Sequence, residues 1–327
     1  MAFIIPINDL VVPQFNLIFA GFRSEHRMEY TGDTPIAGDA SDLTVNNGRT
    51  VTFEAGQELK WHNQNGAGTF PLCDTIVVRM RHKIPANTGA DNLLGAIEYS
   101  DTHPQSAIGV QVVRQSGAVV AASQITQLNV LARPGLQAVT ANEQTPFFTL
   151  AIRYRLTGSS TPVDTDEVII RMPSTAANGT SVYEIDYVMA GHAYEFPEEI
   201  GNGITIQPSL NSDSSTSDSG VVFSNISPST NSRLTVPFPS LNETISIQPN
   251  SSGNPNSSRG LLRIFELANT SQPMFIAPRI GPVDSEGRPV SSMDEQLAIL
   301  GVIENTPSFT AIDGPNWNVS PLTFISL

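Results

Sequence analysis

The side chains that most often carry catalysis or bind metals are few and widely spaced in this chain. Its five histidines are His26, His62, His82, His103 and His192. None of them has a second histidine or a cysteine at the spacing of a zinc or iron site. The single cysteine, Cys73, forms no internal disulfide, and we expect its thiol to be a small buried group. The sequence therefore predicts no catalytic metal.

The short motifs of nucleophilic, phosphate-binding and zinc-dependent enzymes are missing as well. The 327 residues contain no G-x-S-x-G, no P-loop and no H-E-x-x-H. The nearest approach to a catalytic pair is Glu184 and Asp186, because paired carboxylates perform acid–base chemistry in glycosidases. Both acids lie on the polar side of a predicted strand, so we interpret them as a cross-strand charge ladder with Arg153 and Arg155. The prediction is a protein that is not an enzyme and needs no organic cofactor.

A tryptophan near a glycine-rich loop is the best candidate for binding a ligand. Trp61 is flanked by Lys60, His62 and Asn63, and residues 63–69 (NQNGAGT) follow. An aromatic ring with polar neighbours can stack on a sugar, so these four residues form the predicted ligand-binding set. Packing of Trp61 in the core or at its rim is the competing and preferred interpretation.

A side-chain period of two predicts the strands that position these residues. Residues 147–158, 167–172 and 181–191 alternate apolar and polar side chains and are joined by polar loops. The apolar rows expected to face inward are Phe148, Leu150, Ile152, Tyr154 and Leu156 in the first strand, and Tyr183, Ile185, Tyr187 and Met189 in the last. Three antiparallel strands with one dry face are typical of a β-sandwich.

Further short strands are predicted along the first half of the chain. They cover residues 15–22, 43–45, 50–54, 58–62, 75–85, 93–99, 108–114, 118–122 and 128–131, with a tight hairpin turn at Asn46-Asn47-Gly48. No amphipathic helix is predicted in residues 1–200, which disfavours an α/β enzyme fold. We therefore expect a mainly β protein whose N-terminal domain is an antiparallel, jelly-roll-like β-sandwich.

The composition changes near Ile200, which predicts a second, smaller β-rich domain. Residues 211–220 and 250–258 are rich in Ser and Asn and are interpreted as loops or linkers. One short helix is predicted over about 292–301, because Ser292 and Glu295 have capping-box spacing and Gly301 can end it. The predicted organisation is an extended apolar arm at 1–25, the sandwich at 26–195 and a β-rich C-terminal assembly region at 196–327.

Charge and hydropathy exclude two kinds of partner. The chain has 17 Lys and Arg against 31 Asp and Glu, for a net charge of −14, and it contains no polybasic run. A nucleic-acid-binding surface is not expected. The apolar N-terminal run is interrupted by Pro6, Asn8, Asp9 and Pro13, so neither a signal peptide nor membrane insertion is predicted.

A family resemblance rests on three of the strand segments. They are TIVVRMRHKI at 75–84, FFTLAIRYRL at 147–156 and YEIDYVMAG at 183–191. Their order resembles that of jelly-roll carbohydrate-binding modules and of related sandwiches in bacteriophage tail fibres and other virion proteins, over residues 26–195. Many such modules hold a structural calcium near their first and last strands. The resemblance implies that Glu54 and Asp186 would supply its oxygen ligands, and calcium is the one cofactor it allows.

The apolar chain ends predict an assembly. Side chains that would lie exposed on a monomer include Phe3, Ile4 and Ile5 at one end and Phe324 and Leu327 at the other, and Trp317 is a loop tryptophan nearby. Either a neighbouring subunit or the chain's own domains cover them. We predict a homo-oligomer, and the resemblance to phage appendages implies a trimer. Other virion proteins are the further partners expected.

Three functional readings stay open from the sequence. The preferred one is a non-enzymatic structural component of a phage particle, such as a fibre, decoration or tail-associated protein, located in the virion. The first alternative is a glycan-binding module or receptor-binding protein that contacts the host surface. The second is a polysaccharide-degrading enzyme on a β scaffold.

Overall fold

The structure is a computed structural model, and it describes most of the first two hundred residues and shorter parts of the rest. The described residues are 5–6, 9–11, 28–44, 47–63, 72–83, 97–105, 107–132, 147–159, 161–174, 182–191, 193–194, 199–200, 205–208, 211–216, 222–227, 232–237, 241–242, 273–277, 299–306, 308–314 and 316–326.

Strands make up nearly all of the regular structure. Up to Gly191 they are β1 (Ile5–Pro6), β2 (Asp9–Val11), β3 (Met28–Tyr30), β4 (Val51–Glu54), β5 (Glu58–Asn63), β6 (Leu72–Cys73), β7 (Thr75–Lys83), β8 (Ile97–Tyr99), β9 (Ile108–Arg114), β10 (Ile125–Ala132), β11 (Phe148–Leu156), β12 (Val163–Arg171) and β13 (Val182–Gly191). Two short 3₁₀ turns lie at Ala40–Thr44 and Ala122–Gln124.

The strands after Gly191 are shorter. They are β14 (Ala193–Tyr194), β15 (Glu199–Ile200), β16 (Thr205–Pro208), β17 (Asn211–Thr216), β18 (Val222–Ser227), β19 (Ser232–Val236), β20 (Leu241–Asn242), β21 (Met274–Ala277), β22 (Ile299–Ile303), β23 (Phe309–Asp313), β24 (Asn316–Val319) and β25 (Leu322–Ser326). The prediction of a mainly β protein is confirmed.

Two sheets built from residues 28–191 form a sandwich. One sheet has the order β10-β11-β7-β13-β4, and the other has the order β3-β5-β12-β9-β8, with β6 also paired to β12. All of these pairs are antiparallel except β8 with β9. The late strands β12 and β13 lie between early strands in their sheets, as the Greek-key connections of a jelly roll require. The jelly-roll-like sandwich predicted from the sequence is therefore what the strand order shows.

The inward faces of the two sheets share one apolar core. Strand β11 supplies Phe148, Leu150, Ile152 and Tyr154, as its alternation predicted, and all four are buried. The facing sheet supplies Leu59, Trp61, Val110, Val112, Val168 and Ile170. Side chains that interdigitate across two sheets at native density fix the sheets relative to each other.

A third layer covers part of the sandwich. A seven-stranded sheet with the order β14-β2-β21-β22-β25-β19-β16 joins the N-terminal strand β2 to strands from residues 193–326, and we call it the C-terminal sheet. Its residues Phe275, Ala277 and Leu300 form a second buried cluster with the outward side chains Val77, Ala151, Tyr187 and Met189 of the sandwich. Strands β7, β11 and β13 are therefore buried on both faces at this point.

A β-bulge in β13 makes this double burial possible. Ile185 pairs with Met80 and Tyr187 pairs with Arg79, so Asp186 is an extra residue that has no pairing partner on β7. The extra residue reverses the alternation, because a side chain one position further along points to the other face. The prediction that Tyr187 and Met189 point inward with Tyr183 and Ile185 is wrong, since Tyr187 and Met189 lie against the C-terminal sheet.

The predicted hairpin at Asn46-Asn47-Gly48 is wrong in its first strand. Residues 40–44 form a 3₁₀ turn that buries Leu43 in the core. The Asp39 carboxylate accepts a hydrogen bond from the Ser41 amide at 2.9 Å, which favours a turn over extended chain. Gly48 still lies in a turn, with a φ of 70°.

Three other sequence predictions need correction. Residues 118–122 form only a bridge between Val113 and Val119. The polar segment 211–216 is a strand paired with β18, because ladder hydrogen bonds use the backbone and need no apolar side chain. The end of the predicted helix is wrong, since Gly301 lies in β22, where a Cβ would clash with the carbonyl oxygen of Ile325.

Some predicted elements lie outside the described residues. They are the strand at 15–22, the first part of the helix at 292–298 and the linker at 250–258. In the part of the chain that is described, no helix has the length and apolar character needed to cross a membrane.

The packing of the C-terminal sheet on the sandwich predicts a large cost for Phe275→Ala. The Phe275 ring is 3% exposed, and truncation of a buried aromatic ring costs about 3 to 5 kcal/mol. Urea unfolding measures the change. Ile312→Ala is the matched control, because Ile312 is 57% exposed and its removal should change stability by no more than about 0.5 kcal/mol. Equal effects of the two substitutions would contradict this packing.

Candidate functional site

The predicted ligand-binding set does not converge on one surface. Trp61 is 2% exposed and lies in the core, with its ring edge-on to Tyr30 at a centroid distance of 5.4 Å. A ring with no free face cannot stack on a sugar, so that prediction for Trp61 is corrected. Asn63 is buried on the same side. Alternation along β5 places Lys60 and His62 on the opposite face of the sheet.

Lys60 and His62 have acidic neighbours instead of a shared pocket. The Lys60 ammonium lies 2.6 Å from the Glu58 carboxylate, and His62 Nδ1 lies 3.6 Å from the Asp166 carboxylate. These side chains therefore form separate contacts along the outward face of β5.

Glu54 and Asp186 do not form the calcium site that the resemblance implied. Glu54 is opposite Val182, four residues along β13 from Asp186, which corresponds to about 13 Å at roughly 3.3 Å per residue. Two ligands of one Ca²⁺ ion must each lie about 2.3 to 2.6 Å from it. Across the described ranges, no three His, Cys, Asp or Glu side chains are grouped as a metal ion would require.

The outward face of the sheet β10-β11-β7-β13-β4, which we call the central sheet, carries the predicted charge ladder, with different partners. Asp186 accepts a hydrogen bond from Arg79, and Glu184 accepts one from Arg81. The predicted partners Arg153 and Arg155 belong to β11, which lies on the far side of β7. Because β7 pairs directly with β13, its arginines reach the acids first. The ladder is confirmed as an arrangement, and the assignment of its basic residues is wrong.

An aromatic ring holds the two arginines of the ladder in place. The guanidinium carbons of Arg79 and Arg81 lie 4.8 and 4.7 Å from the centre of the Phe147 ring. A cation over an aromatic face is attracted by the ring quadrupole, and a planar guanidinium can also stack on it. The sequence places Phe147 just before β11, but its role became visible only from the register of the strands.

The environment of Asp186 opposes its charge. Burial raises the pKa of the Asp186 carboxyl to about 6, against the lowering effect of Arg79. Burial also lowers the pKa of Arg79 from its ordinary value. Asp186 Oδ1 is buried without a hydrogen-bond partner among the described residues. Burial and the attraction between the two charges therefore act on both pKa values in opposite directions.

A second polar cluster lies on the outward face of the other sheet and was missed by the sequence analysis. Arg171 donates hydrogen bonds to the Glu58 carboxylate at 2.8 Å, the Ser100 carbonyl at 3.0 Å and Gln111 Oε1 at 2.8 Å. Gln111 donates in turn to Asp101 at 2.8 Å. We call these five residues the Arg171 network.

The Arg171 network fastens the segment 100–105 to the sheet. His103 Nδ1 lies 2.9 Å from the Met172 carbonyl oxygen, and His103 Nε2 lies 3.5 Å from Glu58. The register of β5 and β12 places Glu58 opposite Arg171. The signal available in the sequence was one acid and one arginine on polar faces of adjacent strands, which cannot be paired before the register is known.

The thiol of Cys73 is buried and has a hydrogen-bond partner in the core. Cys73 Sγ accepts a hydrogen bond from the Tyr154 hydroxyl at 3.1 Å. Burial raises the pKa of the Cys73 thiol to about 12. A thiol in this state is a poor nucleophile, because the thiolate is the reactive form.

The residues predicted for assembly lie in different settings. Phe324 is 1% exposed and is covered by the chain itself in β25. Ile5 lies in β1, which pairs with β15. Trp317 lies in β24, in the small sheet β20-β24-β23, and is partly exposed. Phe3, Ile4 and Leu327 are outside the described residues. Of the two members whose side chains the structure describes, Phe324 is buried and Trp317 is partly exposed.

Comparisons with protein-family models, with curated proteins and with solved structures give no match for this chain.

We predict that Arg171→Met destabilises the protein by about 3 kcal/mol. The Arg171 side chain is only 9% exposed, and the substitution removes the hydrogen bonds that it donates to Glu58, Ser100 and Gln111. The control is Arg233→Met, because the Arg233–Glu304 pair has a similar distance of 2.7 Å but is exposed, and it should cost less than about 1 kcal/mol. Chemical denaturation compares the two. A cost for Arg171→Met no larger than that of the control would contradict a structural role for the network.

The raised pKa of Cys73 predicts an unreactive thiol in the native protein. At pH 8, a thiol reagent should modify Cys73 only as fast as the protein unfolds, and it should react at once in denaturant. The release of chromophore from a disulfide reagent gives both rates. Rapid modification of the folded protein would show that the thiol is accessible and activated.

Proposed function

We propose that this protein is a non-enzymatic structural component of an assembled particle, and that the particle is a phage virion. The interleaved strand order of the sandwich carries the proposal, because viral capsid proteins are among the main users of the jelly roll. Lectins and cupins use the same architecture. Because one fold serves many functions, the polar clusters are the second observation that bears on the role of this protein.

The polar clusters favour a structural role over a catalytic one. Asp186 and Glu184 each accept a hydrogen bond from an arginine, and Glu58 is held by Arg171 and Lys60. A general acid or a nucleophile needs a free path to its substrate. Charged pairs that join neighbouring strands instead give a sheet a fixed register.

The layered construction also suits a particle component. The C-terminal sheet takes in the N-terminal strand β2 between β14 and β21, so the two ends of the chain belong to one layer. We propose that the assembled form is a homotrimer that contacts other virion proteins.

The small sheet β20-β24-β23 is the proposed contact between copies. Trp317 and Phe309 are partly exposed on it, and Ile312 is 57% exposed. Aromatic side chains are enriched in subunit interfaces, and covering an exposed apolar side chain such as Ile312 there is favourable.

Host-glycan binding is the alternative that loses most support from the geometry. Its sequence basis was a stacking role for Trp61, and that ring lies in the core. The enzyme alternative depended on Glu184 and Asp186 as a catalytic pair, and both are joined to arginines.

We predict that the purified protein is an oligomer with the mass of three chains and that Ile312→Asp weakens it. A charge in an apolar interface must be desolvated, so the oligomer should dissociate at a protein concentration at least tenfold higher than for the wild type. Light scattering across a dilution series measures this. Val119→Asp is the control, because Val119 is 55% exposed on the sandwich, away from this sheet.

Two outcomes would count against the proposal. A wild-type protein that is monomeric at micromolar concentration would contradict the proposed oligomer. Equal effects of Ile312→Asp and Val119→Asp on its dissociation would contradict the proposed contact. The virion assignment has a separate test in the genes beside this one. Capsid or tail genes there support it, and a metabolic operon would contradict it.

A further inference from the structure

The C-terminal sheet contains a strand that comes from the other end of the chain. Strand β2 lies between β14 and β21, and its residues 9–11 pair with residues 275–277 on one side. On the other side, residues 10–11 pair with residues 193–194. Among the described strands, β2 is the one that joins β14 to the rest of the sheet. The sheet is therefore incomplete without the N-terminal segment.

The N-terminal segment pairs with residues that follow the sandwich. Strand β1 pairs with β15, with Ile5 opposite Ile200 and Pro6 opposite Glu199. Neither β1 nor β2 pairs with any described strand between residues 28 and 191. We call β1 and β2 the arm, and the space between β14 and β21 the slot. The arm is thus connected along the chain to the sandwich, whereas its pairing partners belong to the C-terminal region.

The connection between the arm and the sandwich is long enough to reach another copy of the chain. Residues 12–27, sixteen in all, separate β2 from β3. Extended chain spans at most about 3.3 to 3.6 Å per residue, so this length allows a reach of about 50 Å. A globular chain of 327 residues has a radius of gyration of about 20 Å. The connection therefore does not require that an arm and its slot belong to the same chain.

The pairing in the slot is the same whichever chain supplies the arm. Ladder hydrogen bonds join main-chain N–H and C=O groups, and an added strand gains its affinity from them. Residues 9–11 of a second copy would have the same register in the slot as residues 9–11 of the first. The exchange of identical elements between protomers needs no new surface for this reason.

A closed trimer requires a contact between two different surfaces. A two-fold contact joins the same surface of both copies and ends at a dimer, whereas a ring of three needs two surfaces that fit each other. The arm and the slot are two different surfaces whose fit the strand register already defines. Three exchanged arms would therefore close a ring.

We propose that the slot between β14 and β21 is a strand-acceptor site, and that in the assembled protein it is filled by residues 9–11 of a second copy. The proposal rests on the oligomer of the proposed function, and it specifies which part of each chain the neighbour binds. Each copy gives its arm to one neighbour and accepts the arm of the other. The C-terminal sheet of every copy is then completed by another chain.

A pair of cysteines across the slot distinguishes the two sources of the arm. Asp9 is opposite Ala277, and directly opposite residues of an antiparallel pair have Cα atoms about 4.5 to 5.5 Å apart, within the range of a disulfide. The full-length protein with Asp9→Cys and Ala277→Cys is oxidised mildly and run on a denaturing gel without reductant. Cys73, which is buried, is alkylated as the sample is denatured. We expect the main band to shift from the mass of one chain to the masses of two and three chains.

Other results of this experiment would overturn the proposal. A disulfide between residues 9 and 277 within a band of one chain would show that the arm fills its own slot. The absence of any disulfide would show that the arm does not lie beside Ala277.

Thr235→Cys with Thr323→Cys is the matched control in the same sheet. The two hydroxyl oxygens lie 3.2 Å apart across β19 and β25, which need no exchange to pair. This variant should form its disulfide within the band of one chain. Cross-linked dimers and trimers of the control in equal amount would assign those of the first variant to unspecific oxidation, and the exchange would be rejected.

Co-expression of the two single variants keeps the test independent of the double variant. Asp9→Cys and Ala277→Cys chains that carry different affinity tags should give a disulfide-linked dimer that contains both tags, and no such dimer would contradict the exchange. Light scattering of the wild type separates this proposal from the proposed oligomer. An oligomeric wild type whose cysteine pair closes within one chain keeps the oligomer and rejects the exchange, whereas a monomeric wild type rejects both.

Discussion

The pairing of β7 with β13 is the constraint on which the other layers depend. These two strands lie at the middle of the central sheet, with the sandwich core on one side and the C-terminal sheet on the other. A strand that alternates apolar and polar residues has one apolar face. Strand β7 is apolar on both faces at this point, because Val77 is itself apolar and points outward between two residues that point into the core. Strand β13 uses a bulge for the same purpose. The inserted residue therefore turns Tyr187 and Met189 toward the third layer, where they lie beside Val77 and Ala151.

The charge ladder is a consequence of where that apolar surface ends. Beyond Val77 and Met189, the outward row continues as Arg79 and Arg81 on one strand and as Asp186 and Glu184 on the other. Opposite charges on adjacent strands satisfy each other without a partner from another layer, so the row can be partly covered without leaving isolated ions. The ladder therefore lies beside the apolar contact with the C-terminal sheet.

The sequence was most informative where local pattern alone decides the structure. The alternation in 147–156 predicted both the strand and its inward row, because each side chain needs only its own parity along the chain. The ladder was predicted as a type of structure for the same reason. Its partners were assigned to β11 because proximity in sequence suggested a neighbour, and the jelly-roll order places β7 there instead. Pairing between distant strands depends on global topology, which the local pattern does not contain.

The wrong predictions also result from contacts between residues that are distant in the sequence. The bulge at Asp186 leaves no mark in composition, since YEIDYVMAG reads as regular alternation until the register with β7 is known. Gly301 was interpreted as a helix end, although its small size serves a close approach to β25. Trp61 has polar neighbours in the sequence, yet in a strand those neighbours point to the opposite face. In each case a tertiary contact determined the role of the residue, and single-sequence signals describe only its neighbours along the chain.

The two carboxylates at the centres of the polar clusters show how the number of donors decides the behaviour of a buried acid. Burial alone would raise the pKa of Glu58, but hydrogen bonds from Lys60 and Arg171 hold it below its usual range. Asp186 accepts a hydrogen bond from Arg79 on Oδ2, and burial raises the pKa of its carboxyl group. The Glu58 carboxylate pairs with Arg171, whose hydrogen bond to the Ser100 carbonyl joins the segment 100–105 to the sheet. At Glu58 the hydrogen bonds outweigh the effect of burial on the pKa, whereas at Asp186 burial is the larger effect.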